Sequence, residues 1–149
     1  MIIPTFNRGY IPGETIASVV SQTYRHLERI VVDDGSTDNT AALVAGFGHK
    51  TSYPRQPNSG VTAARNLRFT LSHGEFVALL DSDDTCLSWN VEAQITILRA
   101  FSEVGMVWSN MEAVNRNGRS LNQRYLRRFY HAHQSPCRHL YDRTIRMRK

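Results

Sequence analysis

Long apolar runs are missing from this sequence of 149 residues. The longest of them, Ala41 to Ala45 and Phe76 to Leu80, fall far short of the roughly 20 residues that a membrane-spanning helix needs. The segment Met1 to Arg8 has no basic leader followed by an apolar stretch, so we expect no secretory signal. These absences predict a protein without a transmembrane segment, located in the cytoplasm and either soluble or peripheral to a membrane.

Cysteine is scarce as well. Cys86 and Cys137 are the only two cysteines of the chain. They provide neither the spacing of metal ligands nor a disulfide framework. We therefore expect two reduced thiols and assign them no role.

Acidic residues are nearly absent from the C-terminal part of the chain. Residues 1–115 contain 8 Lys and Arg against 12 Asp and Glu, whereas residues 116–149 contain 10 against 1. The tail alone therefore accounts for the net charge of +5. A basic tail is usually solvated, and no aromatic or glycine motif of an RNA-binding module accompanies this one, so we expect no specific nucleic acid partner.

Short apolar runs alternate with amphipathic stretches, which predicts an α/β fold with a mostly parallel sheet flanked by helices. Beyond Leu121, too few apolar residues recur at any period to specify a packed element. We therefore predict an α/β domain over residues 1–110, and a hairpin and basic tail over residues 111–149. The predicted strands are 1–6, 27–32, 51–54, 75–80 and 104–109, with a hairpin turn at Asn117 and Gly118. The predicted helices carry Ile16 and Val19, then Leu43 to Phe47 with Ser36 or Thr37 as cap and Gly48 as end, then Val61 to Leu71 after Ser59, and then Val91 to Leu98.

Polar residues follow three of the predicted strands. Ligands of an open parallel sheet bind outside the carboxyl ends of its strands. Acidic residues at two neighbouring strand ends repel one another unless a cation is present, so a shared cationic ligand is the simplest explanation. The residues at these ends are Pro4, Thr5, Phe6, Asn7 and Arg8; Asp33, Asp34, Gly35 and Ser36; and Asp81, Ser82, Asp83 and Asp84.

Asp81 and Asp83 are separated by one residue, so both carboxylates can approach the same hard divalent ion. Oxygen ligands suit Mg²⁺ or Mn²⁺, which keep open positions for water and phosphate. Such an ion would neutralise a diphosphate leaving group. The alternative is that Asp83 or Asp84 caps the helix that begins before Val91.

Asp34 and Phe6 fit the recognition of a nucleobase. The Asp34 carboxylate can accept a hydrogen bond from an N–H group of the base, and Phe6 can offer a flat apolar face. Phe6 can equally be an ordinary core aromatic. Arg8 and Arg65 can pair with phosphate or base oxygens, and Arg65 can instead form a salt bridge with Asp33 or Asp34.

Five blocks of the sequence, in order, resemble the family 2 glycosyltransferases of the GT-A (nucleotide-diphospho-sugar transferase) fold. The resemblance covers about residues 1–110 and is specific because the blocks occur together. They are Ile2-Ile3-Pro4-Thr5-Phe6-Asn7-Arg8; Gln22-Thr23-Tyr24; Val31 to Asp38; Asn58-Ser59-Gly60 with Ala64-Arg65-Asn66; and Gly74-Glu75-Phe76 with Leu80-Asp81-Ser82-Asp83-Asp84.

This resemblance implies a nucleotide-sugar donor, usually a uridine diphosphate sugar. The base would lie beside Phe6 and Asp34, the ribose and diphosphate near Asp81 and Asp83, and Asp83 would be the metal ligand. An acceptor hydroxyl of a sugar, lipid or protein would attack the anomeric carbon with inversion, and a carboxylate base would remove its proton.

The chain departs from the family where that base is expected. The family's base is an Asp or Glu of a later segment, and after Asn110 this chain contains only Glu112 and Asp142. Neither has the usual neighbours, so we assign no catalytic base. We expect a chain that is truncated on its C-terminal side, with an incomplete acceptor region.

Two other functions remain open at this point. A nucleotidyltransferase can also use a carboxylate pair and a metal, but it needs a glycine-rich basic loop after the first strand, and Asn7-Arg8-Gly9 is a poor one. A non-catalytic nucleotide- or anion-binding module would use the basic tail from Arg116 to Lys149 to bind an anionic partner. Strongly salt-dependent binding that is lost on deleting the tail would favour the latter.

Overall fold

A parallel sheet forms the centre of the N-terminal part. The computed structural model describes residues 1–10, 12–60, 72–115, 119–122 and 144–148. The sheet contains β1 (Ile2–Thr5), β2 (Arg29–Asp33) and β3 (Thr51–Ser52), in the spatial order β1-β2-β3. The segment around Leu79 extends this sheet beyond β1, since Ile2 N donates to the Ala78 carbonyl (2.8 Å) and Leu80 N donates to the Ile2 carbonyl (3.1 Å). The carboxyl ends of four neighbouring segments therefore lie at one edge.

The strands β1 and β2 are apolar because both of their faces are covered. Successive side chains of a strand point to opposite faces. Accordingly, Ile3 and Val31 belong to the larger core cluster, whereas Ile2, Ile30 and Val32 form a second cluster. The predicted strands 1–6 and 27–32 are therefore confirmed with shifted ends.

Within the residues that the structure describes, three helices pack against this sheet: α1 (Pro12–Val20), α2 (Thr40–Ala45) and α3 (Asn90–Ala100). The prediction that Ser36 or Thr37 caps α2 is wrong, because Asn39 occupies the N-cap position. Ser36 instead accepts a hydrogen bond from the loop after β1. Gly48 does not end the helix either, since α2 ends at Ala45. The helix predicted over residues 61–71 lies outside the described residues.

A second sheet contains β4 (Asp84–Thr85), β5 (Asn110–Val114), β6 (Ser120–Asn122) and β7 (Thr144–Arg148), in the order β4-β7-β5-β6. The strands β5 and β7 are parallel, and the other two pairings are antiparallel. The antiparallel pairing of β5 and β6 confirms the predicted hairpin, whereas residues 116–118, which include the predicted turn, lie outside the described residues. Because β4 pairs with β7, the second sheet connects the two predicted parts of the chain.

One prediction for this second region is wrong, and one of its strands was not predicted. Residues 104–109 are not a strand, because the strand begins at Asn110. The apolar residues that led to that prediction include Met106 and Trp108, which are 70% and 65% exposed. The segment 144–148 forms β7, although no packed element was predicted there. Among the described residues, no helix has the length and apolar character required to span a bilayer.

Candidate functional site

Asn7 ties the loop after β1 to the loop after β2. Its backbone N–H donates to Ser36 Oγ (2.9 Å), and its side-chain Oδ1 accepts from the Thr37 backbone N–H (2.8 Å). Asn7 has a positive φ of 49°, a conformation that asparagine tolerates better than most residues. The polar side chain thus fixes the direction in which the chain leaves the sheet.

The next two residues extend this contact between the loops. Arg8 N donates to Thr40 Oγ1 (3.1 Å), and Gly9 N donates to Asp38 Oδ2 (2.8 Å). The hydrogen bonds from Thr40 and Gly9 lower the pKa of Asp38. A Cβ atom at Gly9 would lie 1.7 Å from Asn39 Oδ1, so a side chain there would have to displace Asn39. Backbone donors of one loop therefore meet side-chain acceptors of the other.

Asp33 is buried at the end of β2 and contacts several polar groups. Its Oδ1 accepts from Ser36 N (2.7 Å), and its Oδ2 accepts from the Tyr53 hydroxyl (2.5 Å) and lies 3.5 Å from Arg55 Nε. Arg55 also donates to the Ser36 carbonyl. Burial and then the hydrogen bond to Asp33 raise the pKa of Tyr53. Asp33 therefore organises the turn after β2 and joins it to the residues that follow β3.

Asp34 holds the loop that follows β3. Its Oδ1 accepts from Gln56 Nε2 (2.7 Å) and Ser59 N (3.0 Å), and its Oδ2 accepts from Gly60 N (2.8 Å). Burial acts to raise the pKa of Asp34, but the hydrogen bonds from Ser59, Gln56 and Gly60 outweigh it and lower the pKa. A carboxylate offers about four lone-pair sites. The three donors thus leave capacity for one further hydrogen bond to Asp34, which is 5% exposed.

An open groove of about 460 Å³ adjoins this pair of aspartates. Gly35 has a φ of 87°, and a Cβ atom there would lie 2.9 Å from Asn58 N, so glycine permits the close approach of two loops. The rule that ligands bind outside the carboxyl ends of parallel strands, the strand-end rule, would have identified most of the groove if it had also been applied to the third predicted strand, 51–54. Its lining residues are Gly35, Arg55, Gln56, Pro57 and Asn58.

The acidic loop after the segment around Leu79 lies on the other side of β1. Asp84 N donates to the Asp81 carbonyl (3.1 Å), which closes a turn. Burial, followed by the charges of Asp83 and Asp81, raises the pKa of Asp84 to about 7. Arg8 Nη2 lies 3.7 Å from Asp83 Oδ2. Arg8 thereby connects the acidic loop to the loops after β1 and β2.

Neither Asp83 nor Asp84 caps α3. Asp84 belongs to β4, and α3 begins at Asn90 with Trp89 at its N-cap position. The capping alternative raised by the sequence is therefore wrong. The acidic character of this loop needs another explanation.

A divalent ion fits the acidic loop only if other molecules complete its coordination. Within the described part of the chain, no three Asp, Glu, His or Cys side chains form a group that could hold a metal ion. Asp81 is exposed, and the Asp83 side chain is 40% exposed, so both can be reached from solvent. Mg²⁺ and Mn²⁺ sites often use one or two carboxylates together with water and substrate phosphates. The donor set of Asp81 and Asp83 matches that type of site.

The other predicted site residues fall into three groups. Pro4 and Thr5 are buried in β1, and Thr5 Oγ1 has no hydrogen-bond partner among the described residues. Phe6 is 43% exposed, so it is not an ordinary core aromatic. Ser82 is buried. Arg65 lies outside the described residues, as does Asp142.

The fold and these strand-end loops define a GT-A-type α/β domain, and comparisons with known proteins identify its family. The sequence profile of glycosyl transferase family 2 matches residues 1–147. The chain therefore belongs to glycosyl transferase family 2. This result confirms the resemblance found in the sequence.

Individual relatives agree with this assignment. An uncharacterized glycosyltransferase of Rickettsia bellii is 34% identical over 124 residues, which cover 81% of this chain and 18% of the relative. The UDP-Glc:alpha-D-GlcNAc-diphosphoundecaprenol beta-1,3-glucosyltransferase WfgD of Escherichia coli is 32% identical over 119 residues, covering 78% of this chain and 47% of the relative. Among solved structures, S. aureus TarS 1-349 in complex with UDP-GlcNAc matches with a TM-score of 0.64 and 26% identity, covering 82% of this chain and 36% of that chain. The chain therefore spans less than half the length of these proteins.

Proposed function

We propose that this chain is the donor-binding part of a glycosyltransferase that uses a uridine diphosphate sugar together with Mn²⁺ or Mg²⁺. The main observation is that loops from neighbouring strand ends are joined at one edge of the sheet. Asn7 bonds to Ser36 and Thr37, and Arg8 lies beside Asp83. Such an edge is where ligands of open parallel sheets bind.

The chemistry of the two sides of β1 supports a nucleoside diphosphate. On one side, Asp34 retains capacity for one more donor, and the exposed ring of Phe6 offers a surface on which a base can stack. On the other side, Asp81 and Asp83 supply the oxygen ligands that Mg²⁺ and Mn²⁺ prefer. Arg8 can pair with a phosphate oxygen.

The names of two relatives support uridine as the nucleoside. WfgD is named as a glucosyltransferase that uses UDP-Glc, and TarS 1-349 was crystallised with UDP-GlcNAc. Both proteins are more than twice as long as the matched segment of this chain. In this proposal, the identity of the donor sugar therefore stays open, and the choice of a sugar, lipid or protein acceptor lies in the part of such proteins that this chain does not match.

In a transfer with inversion, each of these residues would have a separate role. Asp81 and Asp83 would hold the ion, which neutralises the charge that develops on the departing diphosphate. Asp34 and Phe6 would orient the base, and Arg8 would bind a phosphate oxygen. The acceptor hydroxyl would attack the anomeric carbon from the opposite face, and its proton would go to a carboxylate base. Neither Glu112 nor Asp142 is assigned that role.

The test is calorimetric titration of the 149-residue chain with UDP and with GDP, each with and without Mn²⁺. We expect Mn²⁺ to tighten UDP binding and expect UDP to bind more tightly than GDP. A ligand at a hundredfold excess over its Kd stabilises the native state by about 2.7 kcal/mol, so a thermal shift provides a second readout. A folded chain that shows neither heat nor shift with UDP and Mn²⁺ would contradict the proposal.

A further inference from the structure

Helix α1 and the turn after it present a polar stripe towards the acidic loop. The stripe consists of Thr15, Ser18 and Gln22, whose spacing places them on one face of a helix. Thr15 is 1% exposed and Gln22 is 2% exposed. Burying polar side chains costs free energy unless they form hydrogen bonds. Their presence on a buried face therefore calls for partners, and these partners lie in residues 82–91.

The contacts of the stripe follow the acidic segment in order. Thr15 Oγ1 donates to the Ser82 carbonyl (2.8 Å), and Ser18 Oγ accepts from Cys86 N (3.2 Å). Gln22 Nε2 donates to the Leu87 carbonyl (2.9 Å), and Gln22 Oε1 accepts from the N–H group of Val91 (3.1 Å). The chain is thus fixed on both sides of Asp83 and Asp84. Side chains of α1 and of the turn after it hold the backbone of residues 82–91 in place.

The contact of Thr15 is the one closest to the carboxylates. Ser82 lies between Asp81 and Asp83, and its carbonyl belongs to the peptide plane that joins Ser82 to Asp83. A hydrogen bond to that carbonyl restricts rotation of the peptide plane. It therefore fixes the backbone nitrogen of Asp83 relative to Asp81. Partners outside the first coordination shell commonly change metal affinity by about tenfold to a hundredfold.

We propose that Thr15 is a positioning residue that holds Asp81 and Asp83 in the geometry required for one divalent ion. This inference rests on the proposed function, since it concerns the same ion. It assigns to α1 a role in donor binding that goes beyond covering the sheet. The remaining members of the stripe, Ser18 and Gln22, keep the segment after Asp84 in place.

The experiment compares Thr15→Val, which removes the hydroxyl at nearly constant shape, with Thr15→Ser, which retains it. The matched control is Thr96→Val, because the Thr96 hydroxyl donates to the Glu92 carbonyl of its own helix (2.8 Å). Mn²⁺ affinity is measured calorimetrically at saturating UDP, and UDP affinity is measured separately without metal. We expect Thr15→Val to weaken Mn²⁺ binding by about tenfold, with metal-free UDP affinity unchanged. Thr15→Ser should restore the Mn²⁺ affinity, and Thr96→Val should not alter it.

The alternative outcomes separate this inference from the proposed function. If the unaltered chain binds UDP without any Mn²⁺ dependence, the proposed function fails and the inference fails with it. If the unaltered chain depends on Mn²⁺ and Thr15→Val has the same Mn²⁺ affinity, the inference alone is overturned. Equal losses of Mn²⁺ affinity and metal-free UDP affinity would also overturn it. Should Thr15→Val not fold, Thr15→Cys, whose thiol is a weaker donor, must weaken Mn²⁺ binding for the inference to stand.

Discussion

Two pairs of adjacent aspartates, which lie on opposite sides of β1, have different surroundings. Asp33 and Asp34 accept hydrogen bonds from five residues of two segments, the turn after β2 and the residues that follow β3, and the pKa of Asp34 is lowered. In the other pair, Asp83 lies beside a partly exposed Arg8. Burial and the charges of Asp83 and Asp81 raise the pKa of Asp84 to about 7. The same pair of residue types thus forms a hydrogen-bonded scaffold in one loop and a concentration of acidic groups in the other.

The comparison teaches that hydrogen-bond partners distinguish the roles of acidic residues better than sequence does. A carboxylate whose hydrogen-bond donors and counter-ion come from its own fold, as for Asp33 with Arg55, needs no cation from outside. Carboxylates that crowd together favour a cation from outside. The first pair therefore shapes the base side of the proposed site, and the second pair, with Asp81, supplies its metal side.

The largest expected effect on ligand binding comes from removing a charge on the metal side. Asp83→Asn should lower UDP affinity in the presence of Mn²⁺ by at least about tenfold, which corresponds to about 1.4 kcal/mol, because an amide oxygen is a weaker ligand than a carboxylate. The melting temperature without ligand should change little. Calorimetry with and without Mn²⁺ measures the effect, and Glu103→Gln, an exposed acidic position, is the control. Unchanged affinity and unchanged Mn²⁺ response would remove Asp83 from the metal site.

For the pair Asp33 and Asp34, we expect a substitution to change the stability of the fold in a way that depends on pH. Asp34→Asn should lower the free energy of unfolding at pH 7 by about 2 kcal/mol, because one carboxylate oxygen becomes an NH₂ group facing backbone donors. Asp34 has a lowered pKa in the folded chain. Its stabilisation is therefore fully present above the unfolded pKa of about 3.9 and is lost as the pH falls through the lower folded value.

Urea unfolding of both proteins over a pH series checks this prediction. The stability difference between them should be constant around neutral pH and should shrink below about pH 4. A difference that stays the same down to the lowest pH at which both proteins fold would show that the charge of Asp34 does not stabilise the loop. Little difference at pH 7 would place Asp34 outside the scaffold.

The sequence predicts best those elements whose formation depends only on the burial of their own apolar residues. Ile30, Val31 and Val32 are β-branched and are covered on both faces, so periodicity and composition agree on β2. The second sheet, in contrast, forms through strand pairing between residues that are distant in sequence. The strand β7 alternates apolar and basic residues only over its last four positions, 145–148, and a pattern this short is not specific.

Competition between local and distant contacts explains the wrong helix cap. Ser36 is a good capping residue by type, but Asn7 uses its hydroxyl as an acceptor. The strand-end rule likewise identified both aspartate pairs as candidate ligands. The sequence assigns Asp34 to the base and Asp81 and Asp83 to the ion. It does not predict the hydrogen bonds of Asp33 and Asp34, because their partners Tyr53 and Gln56 belong to the region around β3.

The smallest expected effect concerns the ion pair that links the two regions. Arg8→Gln should change the free energy of unfolding by less than about 0.5 kcal/mol, because half-exposed ion pairs are screened by solvent and contribute about 0–1 kcal/mol. The backbone N–H of Arg8 still donates to Thr40 in the variant, so the two loops remain joined. Urea unfolding at low and high salt measures the change. A loss above about 1.5 kcal/mol that disappears at high salt would mean that the Arg8 side chain belongs to the scaffold, and the contrast between the two aspartate pairs would then be weaker than the geometry indicates.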